Sequence, residues 1–329
     1  MRVKYPNLDL VRTIAIALVI LSHLPINFPY YYHKQTLGLL GVEIFFVHTS
    51  LVLMLSLKNN LLDKKLKNII LKFYIQRLFR IFPLSVLIVT VLILINYYLN
   101  NHNYNYSIII SNILLIQNIT KTISLPEPLW SLPYELQFYI FLPFIFFFIK
   151  KKNIQFNGIL MIWISIIILI FILYFFNQNY HYIKFWPCFF SGIISYVLWN
   201  NKKNISFNYL LFYLLFVIII YPILTTLGLK QTIAAWPICL CLGIIIANCK
   251  PITNEIIKKF SRILAKYSYS VYLIHQPIID FSVKKILFFE NIYISIIIAF
   301  IFTALISFIL YNLIEKKFVN IGKKIIKKF

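Results

Sequence analysis

Runs of about twenty apolar residues recur from one end of the chain to the other, separated by short segments rich in Lys, Asn and Arg. A helix of that length rises roughly 30 Å, the thickness of a bilayer's hydrocarbon core. The pattern predicts ten spans, at about 8–27, 38–57, 81–99, 130–149, 157–176, 183–199, 207–226, 232–248, 268–289 and 292–314. Residues 107–119 (SIIISNILLIQNI) are apolar too, but a helix of that length rises only about 20 Å. This piece is expected to lie as an interfacial or re-entrant helix on the outer side. The predicted fold is therefore all-α: a polytopic transmembrane bundle of about ten spanning helices plus one short outer interfacial helix. It forms a single domain over residues 1–329, with no internal repeat and no linker to a soluble domain.

Composition agrees that lipid is the main solvent. Hydrophobic residues make up 61% of the chain and charged residues 12%, too few to cover a soluble surface of this size. A net charge of +23 would suit a nucleic-acid partner, but its distribution argues against one. Of the 32 Lys and Arg, 26 fall in alternate connections: up to Arg12, at 58–80, 150–152, 202–203 and 250–266, and after 315. That sorting marks cytoplasmic segments. The other six (Lys34, Lys121, Lys184, Lys230, Lys284 and Lys285) fall at the opposite helix ends. Both termini and Asn201 are thus expected in the cytoplasm and Asn101 and Asn179 outside, in a multi-pass cell-membrane protein. The first span holds Arg12 and lacks a small-residue cleavage site, so it reads as a retained signal anchor. Cys188, Cys239, Cys241 and Cys249 lie within or at the end of apolar runs without zinc-ligand spacing. They read as packing residues, with no disulfide framework and no metal.

Ionisable groups at bilayer depth cost several kcal/mol unless paired or facing water, so each is a functional candidate. They are Arg12, His23, Glu43, His48, Glu135, His275 and Asp280. Arg12 and His23 are eleven residues apart, three helical turns plus about 20°, so they share one face of the first helix about 16 Å apart. A cation there can hold a phosphate-bearing donor or simply anchor the helix in the headgroups; an imidazole can take a proton from a hydroxyl. Arg77 and Arg80, one turn apart in QRLFRIFP, form a forked cradle for phosphates or a positive-inside cluster. Glu43 in GVEIFFVHTS and Glu135 in WSLPYELQFY can orient an imidazole or belong to buried structural pairs. His275, with Tyr272 one turn back in YSYSVYLIHQPI, fits catalysis or interhelical hydrogen bonding. His48 and Asp280 carry the weakest signals.

Six segments, LDLVRTIAIALVILSH, GVEIFFVHTS, QRLFRIFPL, LWSLPYELQFY, YSYSVYLIHQPI and YNLIEKKF, together resemble the acyltransferase-3 family of integral membrane O-acyltransferases, in order and spacing from residue 8 to about 318. The family's basic residue and His of helix 1 match Arg12 and His23, and its paired arginines match Arg77 and Arg80. Its Trp-Ser-Leu-x-x-Glu segment matches Trp130, Ser131, Leu132 and Glu135. Its Ser/Tyr/His stretch matches Ser270, Tyr272 and His275, and its closing Ile-Glu matches Ile314 and Glu315. Three departures stand out. The acid that often follows the first Glu is Leu136, the Ser-Gly after the double Phe is Thr49-Ser50, and no esterase-like domain is appended.

The resemblance implies transfer of acetyl from cytoplasmic acetyl-CoA to a hydroxyl of an extracytoplasmic glycan or lipid-linked glycan. Arg12, Arg77 and Arg80 would hold the donor's phosphates. His23 would act as general base or transient acetyl carrier, oriented by Glu135 or Glu43. Trp130, Ser131, Tyr272 and His275 complete the candidate set. Tyr30, Tyr31, Tyr32, Tyr180 and Tyr182 would stack on sugars or form an interface belt. Acyl-CoA, the glycan and membrane lipids are the expected partners, with a separate protein as one route for acceptor handling. A succinyl or other acyl donor, and a glycan exporter without acyl transfer, stand as alternatives; scarce glycine and the lack of a repeat favour the enzyme.

Overall fold

The computed structural model describes residues 5–25, 31–60, 66–100, 103–176, 180–201, 203–285 and 292–327. It is 87% helical, with no strand among the described residues. In chain order the helices are α1 (Pro6–His23), α2 (Tyr31–Asn60), α3 (Leu66–Asn100), α4 (Tyr106–Leu114) and α5 (Gln117–Thr120). After a 3-10 turn at Glu127–Ser131 come α6 (Leu132–Lys152), α7 (Phe156–Phe175), α8 (Trp186–Leu198), α9 (Phe207–Thr226) and α10 (Gln231–Asn248). The chain continues through α11 (Glu255–Lys285), α12 (Ile292–Leu310), a π-helical turn at Tyr311–Glu315 and α13 (Lys316–Ile326).

Among the described residues eight helices are long and apolar enough to cross a bilayer: α1, α2, α3, α6, α7, α9, α10 and the α12–α13 rod. The two remaining expected spans are helical as well, but differ in kind. The span expected at 183–199 forms α8, which has only 13 residues, about 20 Å. Residues 268–285 of the span expected at 268–289 are the second half of α11, whose first turns carry Glu255, Lys258, Lys259 and Arg262; 286–289 lie outside the described residues. The outer helix expected at 107–119 is two pieces, α4 and α5, broken where Leu115 adopts a left-handed conformation (φ 57°). Tyr30, Asn101 and Asn179 lie outside the described residues.

The chain divides into two compact units, residues 1–59 with 138–266, and residues 60–137 with 267–329. In the first, α8 is the hub. Every residue from Pro187 to Ser195 is buried, Phe189 stacks at 4.3 Å on both Phe46 of α2 and Phe138 of α6, and the opposite side of α8 packs on α10. A side chain on Gly192 would run into the Val47 carbonyl oxygen and Ser50 Oγ of α2. Without water to expel between helices, close backbone approach at small residues is what binds them in lipid. Conserving that approach is the role of Gly192.

In the second unit α3 is a 35-residue helix that carries Pro83, and α13 packs along it. A Cβ on Gly322 of α13 would stand 3.0 Å from Cβ of Phe79. The π turn adds a residue to the turn before α13. Such turns are uncommon and collect at functional positions; here the turn ends on Glu315, which is buried.

Gly192→Ala is therefore expected to destabilise the first unit by about 1–3 kcal/mol through overpacking against backbone. Gly158→Ala, where the new methyl meets one side-chain methyl, Ile154 Cγ2 at 2.8 Å, and no backbone of another helix, should cost less. Thermal unfolding of both variants in detergent, followed by cysteine-reactive dye, provides the comparison.

Candidate active site

In the first unit the two residues that share the α1 face have different surroundings. Arg12 is half-buried, with its guanidinium carbon 6.0 Å from the centroid of Phe45. The edge of Phe45 in turn meets His48 at 6.4 Å. Asp9, one turn before Arg12, and Arg262 at the start of α11 lie within electrostatic reach, so the buried start of α1 is a mixed-charge patch rather than a lone cation.

His23 is the last residue of α1. Its Nδ1 lies 2.8 Å from the Val19 carbonyl oxygen and 3.1 Å from Ser22 Oγ, while Ser22 Oγ donates to the same Val19 oxygen at 2.7 Å. A carbonyl can only accept, so Nδ1 must carry the hydrogen and donate it. In the neutral ring Nε2 then holds the lone pair.

Glu43, fully buried in α2, accepts a hydrogen bond from Tyr221 of α9 at 3.1 Å. The carbonyl of Gln231 lies 3.2 Å from the same hydroxyl, so its single hydrogen is shared between the two acceptors. Cys239 Sγ approaches the Glu43 carbonyl oxygen at 3.8 Å, and Lys184 is the nearby cation. Glu43 thus ties α2 to α9 and α10.

The second unit gathers a larger polar group. Tyr272 of α11 shares a 2.7 Å hydrogen bond with Ser131 and donates to the carbonyl of Pro128, which docks the 3-10 turn onto α11. His275, completely buried, repeats the arrangement of His23: its Nδ1 is 2.8 Å from the Tyr272 carbonyl and 3.1 Å from that of Val271. Its ring centroid is 6.0 Å from that of Tyr272. Ser270 donates to Glu315 at 3.2 Å, so the π turn delivers its carboxylate to α11. Tyr269 donates to the carbonyl of Ile81 at 2.8 Å, and Arg80, Glu135 and Glu315 all lie within electrostatic reach of it. Trp130 meets Tyr134 edge-on at 6.2 Å. Arg77 lies 5.7 Å from the ring of Phe73, one turn back on α3.

Of the residues singled out in the sequence, the structure joins Arg80, Ser131, Glu135, Tyr272 and Glu315 in one neighbourhood of the second unit, with His275 beside Tyr272. Arg12, His23, Glu43 and His48 belong to the first unit. Asp280 is exposed. Among the described residues no group of His, Cys, Asp or Glu could hold a metal. Sequence reasoning passed over Tyr221, Tyr269 and Asn112. Asn112 is buried without exposure and acts as a clasp. Its Nδ2 donates to the carbonyls of Ile108 at 2.9 Å and Ile123 at 2.8 Å. Its Oδ1 accepts from Gln117 at 3.0 Å and from the backbone N–H of Leu125 at 2.8 Å. Those bonds hold the strand of chain that leads into Trp130 and Ser131.

Comparison with known proteins agrees with this picture. A family model described as "Acyltransferase domain" matches residues 5–312. A protein of Acidianus two-tailed virus named "Putative acetyltransferase ORF330" is 25% identical over 266 residues, covering 74% of this chain and 77% of its own. No solved structure matches the chain.

Asn112→Ala should lower stability by roughly 2–4 kcal/mol, since four bonds at about 0.5–1.5 kcal/mol each are partly replaced. It should also free the 121–127 segment. Limited proteolysis of the variant in nanodiscs is expected to cut there first, and an unchanged digestion pattern would remove the clasp role.

Proposed function

The chain belongs to the acyltransferase-3 family, and on that premise we propose that it moves an acetyl group from acetyl-CoA to a hydroxyl of an extracytoplasmic glycan or lipid-linked glycan. It is a membrane acyltransferase; donor and acceptor are our reading. The observation that supports it is the 2.8 Å approach of His23 Nδ1 to the Val19 carbonyl oxygen, which in a neutral ring assigns the proton to Nδ1 and the basic lone pair to Nε2. The acceptor hydroxyl gives its proton to Nε2 while its oxygen attacks the thioester carbonyl carbon. The C–S bond breaks, the new C–O ester bond forms, and the imidazolium returns the proton to the departing thiolate.

Arg77 and Arg80 at the basic end of α3 supply the phosphate-binding charge for the coenzyme, and Arg12 supplies the same charge in the first unit. Glu135 and Glu315 face Arg80 around Tyr269 and hold its guanidinium in place. Glu43, bonded to Tyr221, stabilises positive charge that develops on the imidazole. No step requires a metal-bound nucleophile, because the attacking oxygen belongs to the acceptor. A strain lacking this protein should lose acetyl esters from its surface glycan by mass spectrometry; succinyl loss instead would move the donor to another acyl-CoA.

His23→Ala should abolish thiol release from acetyl-CoA in the presence of acceptor, with unchanged thermal stability in nanodiscs. Near wild-type turnover would remove His23 from the chemistry.

Arg77→Ala and Arg80→Ala should each weaken acetyl-CoA binding about 10- to 150-fold, the range for losing one charge-assisted contact of roughly 1.5–3 kcal/mol. Arg77→Lys should recover part of it, since an ammonium lacks the fork. Calorimetry over a range of salt concentrations gives the measurement; unchanged affinity in both variants would return the pair to membrane anchoring.

A further inference from the structure

A cavity of about 290 Å³ lies in the first unit where α7, the 180–184 connection and the start of α10 meet. That volume is at the lower limit of small-ligand pockets, roughly 300 Å³, and suits one sugar ring. Among its lining residues are Tyr174, Tyr180, His181, Lys184, Lys230 and Trp236, and none of the lining residues is acidic. From these features we infer that the cavity is an acceptor subsite for an anionic sugar, one ring of a carboxylate-bearing glycan. The inference rests on the proposed transfer to an extracytoplasmic glycan.

The side of the membrane follows from the helices that build the cavity. Tyr174 is near the end of α7, eighteen residues and about 27 Å from its start, and α7 starts just after Lys150, Lys151 and Lys152. The α9–α10 connection that contributes Lys230 is likewise at the far end of α9 from Lys203 and of α10 from Lys250. All three basic connections lie at the other ends of these helices. By the positive-inside distribution the cavity opens opposite to the cytoplasm, where the acceptor is and the coenzyme is not.

The walls are prearranged. Trp236 donates its indole N–H to the Lys184 carbonyl at 3.0 Å, and Phe171 meets it edge-on at 5.9 Å, so this buried ring is the fixed floor of the cavity. Tyr174 and Tyr180 pack edge to face at 5.3 Å, and Tyr180 lies 4.3 Å from His181. Flat rings of this kind present apolar faces to the C–H face of a pyranose. Lys230 stands 3.9 Å from the Tyr174 ring centroid, and hydrogen bonding to Tyr174 raises its pKa above the ordinary lysine value. It is the N-cap residue of α10, where a cation opposes the helix dipole. Helix stability therefore does not explain it. An anion bound there gains from both the ammonium and the first-turn N–H groups. The buried carboxylate of Glu43 is within electrostatic reach of Lys184, so Lys230 supplies the uncompensated charge.

The test uses the full-length protein in phosphatidylcholine nanodiscs and measures binding of a hexuronate oligosaccharide and of a neutral hexose oligosaccharide of equal length. The uronate should bind at least tenfold tighter, and salt should weaken it. Lys230→Glu, an exposed substitution, should abolish that preference, and Lys184→Gln should reduce it. Equal binding of the two sugars, or a preference untouched by Lys230→Glu, overturns the subsite. Occupancy by glycerol phosphate or anionic lipid that excludes the uronate also overturns it and makes the cavity a headgroup pocket. Acetyl-CoA binding and thiol release are read on the same wild-type sample. Loss of those signals with uronate binding intact would sink the acetyl-transfer reading and leave the subsite standing.

Discussion

A polar group in hydrocarbon has no water to turn to, and this single constraint shapes nearly every local arrangement in the molecule. Side chains meet it by leaning back on carbonyls of their own helix. Ser50 bonds the carbonyl of Phe46 at 2.9 Å, Ser85 that of Ile81 at 3.0 Å and Ser191 that of Pro187 at 2.8 Å. Each such bond contributes only about 1 kcal/mol, but leaving a buried hydroxyl unmatched costs about 1–3 kcal/mol. Avoiding the penalty, more than gaining the bond, determines where these residues point.

The same rule orients two of the buried or half-buried histidines, His23 and His275. An imidazole placed one turn above an accepting carbonyl has its Nδ1 proton assigned by the helix, and neither His23 nor His275 needs a carboxylate to choose the tautomer. The carboxylates are then available for other work. Glu315 receives Ser270, and Glu43 receives Tyr221 across helices. A hydrogen-bonded carboxyl group is far less costly in lipid than an unpartnered one. It also locks α2 against α9 in a way that apolar packing alone does not specify.

Much of this was legible in the chain. The apolar periodicity located the helices, because burial in lipid demands long uninterrupted runs; the placement of Lys and Arg sets only the expectation of which ends face the cytoplasm. Arg12 and His23 were readable as one stripe because a single helix carries both. What escaped notice depended on contacts distant in sequence. Tyr221 and Tyr269 are ordinary interface tyrosines until Glu43 and Ile81 are brought to them. Asn112 looked like a polar flaw in a short apolar run; it is the reason that run breaks, since its amide bonds the chain on both sides of the break. The π turn before α13 had no signature, as an added residue in a helix leaves the apolar pattern almost unchanged. The short length of α8 was hidden by the apolar residues that continue at both of its ends.

That length has a consequence for the bilayer around it. α8 has 13 residues, about 20 Å against a hydrocarbon thickness of roughly 30 Å, and it packs on α2, α6, α7 and α10. A helix enclosed by other helices does not require acyl chains to thin to its own length, so its shortness carries no mismatch strain.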